Sequence, residues 1–308
     1  MNNWIQNNRQ QIFKVLGSLM ALGSLFFLLE QQSWGDILDA VKQVSWQRFL
    51  LVFGLIMISR FFVVGRWYIL LRSSGIEMGF GQSARITFTG LFASNFLPST
   101  VGGDLVRIGG TIQLGHDRAI STASVLVDRL VGMLGMTMLA PLGLLSLFQW
   151  YSTHPELGRS AISIPAVFQK ILNAFKKFIK ALQIWIKKPL SLFGSLLLTW
   201  GHMLCLFTAL QIMSIGLGEY IPFWELAGIW SLAYFITLIP ISVNGYGLQE
   251  LSIAYLLSNI GGFSLASSLA IALLIRIVFI IASLPGAFFL SSILASIRSD
   301  KELYEEAI

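Results

Sequence analysis

Apolar residues run through this chain in stretches too long for a soluble core. They cover residues 12–29, 49–71, 84–97, 119–149, 190–217, 221–243 and 263–296. About 20 residues of helix cross a hydrocarbon layer of ~30 Å, so most of these runs read as membrane spans. Two further pieces, 101–114 and 247–260, have helical character but are too short to cross, and 84–97 is marginal in length. Each short piece follows a proline, Pro98 or Pro240, and a glycine-bearing turn. Interrupted helices at membrane depth need protein or a wet cavity to satisfy their backbone. The pattern therefore predicts an all-α polytopic membrane protein of about seven or eight spans, with two broken or re-entrant helices.

The segment 166–188 follows a different rule. Phe168, Ile171, Leu172, Phe175, Phe178, Ile179, Leu182 and Trp185 recur at helical spacing opposite a run of lysines. This predicts an amphipathic helix lying in the headgroup plane and touching anionic lipid.

An internal echo organises the rest. Residues 88–143 read "FTGLFASNFLPSTVGGDLVR", then "SVLVDRLVG", then Pro141 and Gly143, while 230–286 read "WSLAYFITLIPISVNGYGLQE", then "IALLIRIVF", then Pro285-Gly286. Pro98 lies 142 positions before Pro240, Asp104 lies 146 before Glu250, and Arg129 lies 147 before Arg276. Residues 84–149 and 221–296 are thus expected to form repeat units within a single membrane domain, 1–308. If each carries a re-entrant piece, the two units are inverted. Interrupted helices in repeated units point to a transporter-type site near the midplane.

Composition sharpens this picture. The chain is 55% hydrophobic and 12% charged, against roughly 25% charged in soluble domains. Its formal charge of +6 gathers in loops and in the Lys-rich segment, so it speaks to orientation and lipid rather than to nucleic acid. Arg72, Arg85 and the Lys-rich connection fall on one side and Lys42, Arg48 and Arg118 on the other, if 84–97 crosses. That excess predicts a cytoplasmic N-terminus. Val15–Leu29 reads as a retained span, because Leu28-Leu29-Glu30-Gln31 is no cleavage site for a signal peptide. With a single cysteine, Cys205, and three scattered histidines, neither a disulfide nor a metal centre is expected, and no cofactor is called for. GxxxxGK[ST] and GxSxG patterns are lacking, which gives no support to an ATP-driven pump or a serine hydrolase.

The candidate chemistry lies in the polar residues that interrupt apolar sequence. A charge within a span costs at least ~2.5–3.5 kcal/mol on insertion scales and faces a partner or a wet cavity. Pro98 ends one helix, Gly102 and Gly103 allow a tight turn with exposed amides, Asp104 suits the start of the next helix, and Arg107 stands one turn on. A helix N-terminus beside arginine is a good environment for phosphate. Asn244, Gly245 and Glu250 repeat that arrangement, while Asp128, Arg129 and Arg276 lie deep in later spans. Asn95 completes the set, Asp104 and Arg129 lead it, and Arg60 and Arg66 rank lower. The competing reading makes these residues internal ion pairs that hold the bundle.

The motifs "NFLPSTVGGDLVR", "AISTASVLVDRLVG" and "IPISVNGYGLQE" resemble the lysylphosphatidylglycerol synthase transmembrane-region family, over roughly residues 12–296. The resemblance implies a flippase-like membrane domain associated with moving aminoacylated phospholipid, with relatives near lipid-linked sugar pathways. It carries Asn95, Pro98, Gly102, Gly103, Asp104, Arg107, Asp128, Arg129, Gly245, Gly247 and Glu250 onto the family's polar motifs. The chain stops about a dozen residues after its last span, so no synthase activity is expected with it. The expected function is then binding a phosphate-containing lipid, a phospholipid or polyprenyl-phosphate, in a midplane cavity and moving it between leaflets. The alternatives are a membrane transferase using Asp104 or Glu250 as base, and an accessory subunit of a lipid-modifying enzyme.

Overall fold

The structure, a computed structural model, describes residues 34–97, 102–153, 188–238 and 242–290, with positions 23 and 26. The described residues hold nine α-helices and no strand. They are α1 (Trp34–Gln43), α2 (Trp46–Ser74), α3 (Phe80–Ser94), α4 (Gly102–Gln113), α5 (Arg118–Thr153), α6 (Pro189–Gly216), α7 (Phe223–Thr237), α8 (Leu248–Asn259) and α9 (Leu265–Ser283). Among the described residues, four helices are long and apolar enough to cross a membrane: α2, α5, α6 and the stretch Leu265–Leu290 that begins with α9. The chain is a polytopic helical membrane protein. The run 12–29 and the amphipathic segment 166–188 lie outside the described residues, apart from Lys188 and the exposed positions Gly23 and Phe26.

Local sequence sets the helix ends. Ser45 caps α2 by accepting from the Arg48 amide at 3.4 Å, and Gly75 closes it with φ 94°. Ser264 caps α9 in the same way. Within the spans, hydroxyls return to their own helix. Thr199 donates to the Ser195 carbonyl at 2.9 Å, and Ser231 donates to that of Ala227 at 2.8 Å. Such back-bonding makes a hydroxyl tolerable in an apolar span. The outside is correspondingly greasy, with Leu51, Ile58, Leu126, Phe193, Leu204 and Ile277 exposed.

Neighbouring contacts fix the helix directions. Gly194 faces Ile69, Gly201 faces Phe62 and Gly216 faces Arg48, so α2 and α6 are antiparallel. Gly135 faces Thr199 and Met203, while Leu192 packs on Val127 and Val131, so α5 runs parallel to α6. Gly143 faces Gly228, and Ser231 Oγ lies 3.7 Å from Met136 Sδ, which makes α7 antiparallel to α5.

Between these long helices sit two short hairpins. Ile86 meets Gly110 and Gly90 meets Arg107, so α3 and α4 pair back to back. Ile221 meets Gly261 and Thr237 meets Gly245, so α7 and α8 do the same. The expected crossings at 84–97 and 221–243 are corrected accordingly. Each is a 15-residue helix, about 22 Å long at 1.5 Å per residue, which turns back before reaching the far side. The two hairpins enter from opposite ends of the bundle, the first from the end carrying Arg72 and the second from the end carrying Arg48. Their tips meet midway, where the Tyr246 hydroxyl donates to the Asn95 carbonyl at 3.1 Å. Folding back also moves Arg118 to the Arg72 end, together with Arg85 and Lys188, leaving Lys42 and Arg48 opposite.

Glycine governs how the hairpins seat. A Cβ at Gly143 would strike the backbone of Gly228, and one at Gly286 would strike the Phe88 carbonyl. Each long helix thus crosses the first arm of the other hairpin backbone to backbone. Asn244, Gly245 and Gly247 adopt φ of 49°, 74° and 76°, so "NGYG" is the left-handed turn expected. Gly102 and Gly103 differ, since both are helical residues of α4. A Cβ on Gly103 would collide with Ser94 and Gly90, and one on Gly102 with Leu97. Close packing of the hairpin arms, rather than a left-handed turn, demands glycine there.

Candidate functional site

A cavity of about 380 Å³ opens where the two hairpin tips meet α2, α5, α6, α7 and α9. Arg60, Arg66, Asp104, Arg107, Asp128 and Arg129 line its polar part. Asn244, Gly245 and Gln249 reach it from the second hairpin. Met133, Met136, Met203, Leu206 and Ile253 supply an apolar wall.

The charges form a chain. Asp128, 1% exposed, accepts from Arg66 Nε at 2.7 Å through Oδ1 and from Arg107 Nη2 at 2.8 Å through Oδ2. Arg107 Nη1 stands 3.5 Å from Asp104 Oδ1, and Arg129 Nε pairs with Asp104 Oδ2. Arg66 is also 2.9–3.5 Å from where a Cβ on Gly132 would sit, and its Nη1 reaches Thr199 Oγ1 at 3.4 Å. The Arg107 guanidinium lies 4.3 Å from the Trp67 ring centre, whose Nε1 donates to Ser124 at 3.2 Å. This platform explains why an arginine can be 7% exposed in the middle of a membrane bundle. Even so, Arg107 Nε is a buried donor for which the described residues offer no acceptor.

Arg60 stands apart. Its guanidinium lies 4.5 Å over the Phe279 ring, and among the described residues no carboxylate pairs with it. It occupies the fifteenth position of the 29-residue α2, hence mid-depth. His202, across the cavity wall, makes a 2.6 Å hydrogen bond with Ser59 through Nδ1. Four arginines against two aspartates leave the described lining with two positive charges in excess. A cavity walled by protein strengthens that field relative to water.

A second pair lies behind the other tip. Arg276 Nε pairs with Glu250, Nη2 donates to Gln249 Oε1 at 2.9 Å, and the guanidinium sits 4.9 Å over the Tyr246 ring. Glu250 is 3% exposed, and its Oε2 has no hydrogen-bond partner among the described residues.

Of the expected site residues, Asp104, Arg107, Asp128, Arg129, Asn244 and Gly245 come together around the cavity. Asn95 sits at the first tip and donates to Ser283 Oγ at 2.9 Å. Gly103 faces α3 and Gly102 faces Leu97 just beyond it, while Glu250 and Arg276 form the covered pair beside the cavity. Sequence reasoning ranked Arg60 and Arg66 low and passed over Tyr234, Trp230, Gln249 and Thr199 as lining residues. The arginines gave a signal, being charges within a span. The aromatics gave none, because an aromatic in an apolar run is indistinguishable from core.

The family model of the lysylphosphatidylglycerol synthase TM region matches residues 12–168 and 157–286. The chain belongs to this family. All the cavity-lining residues fall within the matched stretches, so the polar centre is part of the family's membrane domain. No match is found among curated proteins. Among the described residues, no group of histidine, cysteine and acidic side chains is placed to hold a metal.

Proposed function

We propose that the cavity receives the phosphate of a lipid headgroup and that the protein carries this lipid between leaflets. The observation that carries the reading is the excess of arginine at mid-depth, with no carboxylate paired to Arg60 among the described residues and Arg129 35% exposed. Arginine presents a planar fork of donors that matches phosphate oxygens, and it stays charged when desolvated. Arg66 and Arg107, tied to Asp128, are scaffold for this field. Arg60, and Arg129 from its pairing with Asp104, are the cations that meet the ligand. The methionine wall suits a flexible acyl or prenyl chain, since unbranched thioether side chains adapt to irregular shapes.

Two further points support transport. The opposed hairpins fit residues 84–149 and 221–296 as inverted units, an arrangement that places substrate at the midplane of secondary transporters. Asp104 is engaged by Arg107 and Arg129, and Glu250 is 3% exposed and paired with Arg276, which weighs against either as the accessible base that a transferase requires. The clustering of Arg72, Arg85, Arg118 and Lys188 at one end supports placing that end in the cytoplasm of a bacterial inner membrane.

The test is leaflet-to-leaflet movement of labelled phosphatidylglycerol, lysyl-phosphatidylglycerol and polyprenyl-phosphate in proteoliposomes. Acceleration of at least one lipid, lost in Arg129→Gln, is expected. Folded protein that moves none of the three, or a new covalent lipid product by mass spectrometry, would refute it.

A further inference from the structure

We infer that Arg276 is a second phosphate site, closed in this conformation, to which the lipid phosphate passes from Arg129 as the two hairpins exchange roles. The inference rests on the lipid-phosphate reading above and adds where the phosphate goes next.

The two arginines occupy matching places. Asp104 stands in the first turn of α4, the returning arm of the first hairpin, and pairs with Arg129 in the long helix that follows. Glu250 stands in the first turn of α8, the returning arm of the second hairpin, and pairs with Arg276 in the long helix that follows. Because the hairpins enter from opposite ends, the two pairs stand in an inverted relation. Their accessibility breaks that symmetry. The Arg129 side chain is 35% exposed and lines the cavity, whereas Arg276 is 13% exposed and covered by Tyr246, Gln249 and Glu250. Inverted units rock or gate against one another between opposite-facing states, and the matched pairs make the second state an exchange of the two units' arrangements. That exchange uncovers Arg276 and covers Arg129.

The covered pair is not built as inert scaffold. Glu250 Oε2 is buried without a hydrogen-bond partner among the described residues, and a buried polar group left in that condition is destabilising. Asp128, which does serve as scaffold, has both oxygens engaged. Gln249 links the two sites, because its carbonyl oxygen accepts from Arg276 Nη2 while the residue also lines the cavity. Withdrawing Gln249 and Glu250 therefore opens Arg276 onto the cavity that already holds Arg129. The contacts that have to slide are the glycine crossings, Gly143 on Gly228 and Gly286 on Phe88, one for each hairpin. No side chain interlocks there from the glycine side.

The experiment separates binding from movement in the full chain. Binding is measured with dihexanoyl phosphatidylglycerol in detergent, and movement with fluorescent phosphatidylglycerol in proteoliposomes. Arg129→Gln is expected to weaken binding about tenfold or more, the scale of one lost charge-assisted contact. Arg276→Gln is expected to hold binding within about twofold while slowing movement about tenfold or more. Arg276→Lys should restore part of the movement. If Arg276→Gln does not fold, the paired change Glu250→Gln with Arg276→Gln replaces it, since it strands no buried carboxylate. Movement within twofold of wild type in a folded Arg276 variant overturns the hand-over, as does a binding loss equal to that of Arg129→Gln. Wild-type protein that moves no lipid overturns the transport reading itself, and the hand-over with it.

Discussion

Asp128 is the residue whose loss the geometry makes most costly. Its two oxygens hold Arg66 at 2.7 Å and Arg107 at 2.8 Å, and all three side chains are buried. Asp128→Asn keeps the shape but removes the charge that compensates two guanidiniums. Breaking one buried pair by removing a partner costs about 3–5 kcal/mol. At roughly 2–4 °C per kcal/mol for a large domain, melting in detergent should fall by about 6–20 °C. Asp104→Asn provides the contrast, since its partner Arg129 is 35% exposed and its contact with Arg107 is longer, at 3.5 Å. Its loss strands a half-exposed cation in place of two buried ones, so melting should fall clearly less than for Asp128→Asn. The assay is thermal unfolding followed by size-exclusion chromatography. Adding Arg107→Gln to Asp128→Asn should recover part of the loss, because it removes one of the stranded cations, and the double-mutant cycle reports their coupling. Equal shifts for the two aspartates, or an Asp128→Asn protein as stable as wild type, would refute the scaffold assignment.

Three further outcomes follow from single contacts. Arg60→Gln removes a cation held over Phe279 without a carboxylate, so melting should hold or rise while binding of an anionic lipid falls about tenfold; equal binding would discount the residue. Gly143→Val should abolish folded protein because its side chain meets the Gly228 backbone, whereas Gly54→Ala, with open space around the added carbon, should be neutral or stabilising by up to about 1 kcal/mol. Expression and melting distinguish them. Tyr246→Phe deletes the 3.1 Å bond between the hairpin tips and should cost about 1 kcal/mol, visible as altered melting with lipid binding retained.

The sequence made the long helices legible because an apolar run of 20 or more residues has few other uses. It also marked Asp104, Arg107, Asp128 and Arg129, since charges in such runs need a partner, and the structure joins these four into one network. The offsets between Asp104 and Glu250 and between Arg129 and Arg276 pointed to matched positions, and each member pairs within its own block. Hydropathy could not tell a crossing helix from the arm of a hairpin. Phe80–Ser94 is apolar enough for either, and only its pairing with α4 decides, which is why Arg118 changed ends. Glycine was equally ambiguous. Gly245 and Gly247 serve a left-handed turn, Gly102 and Gly103 serve close packing, and a lone letter carries neither meaning. Arg60 was undervalued because a sequence does not reveal which arginine lacks a carboxylate.

The most direct measurement of the central claim is native mass spectrometry of the protein released from membranes, comparing wild type with the Arg60→Gln, Arg129→Gln double variant. A cavity that binds lipid phosphate through Arg60 and Arg129 predicts a retained phosphate-bearing lipid in the wild type and its loss from the folded variant. Retention of the same anionic lipid by the variant, or equal occupancy of a neutral lipid in the wild type, would contradict it.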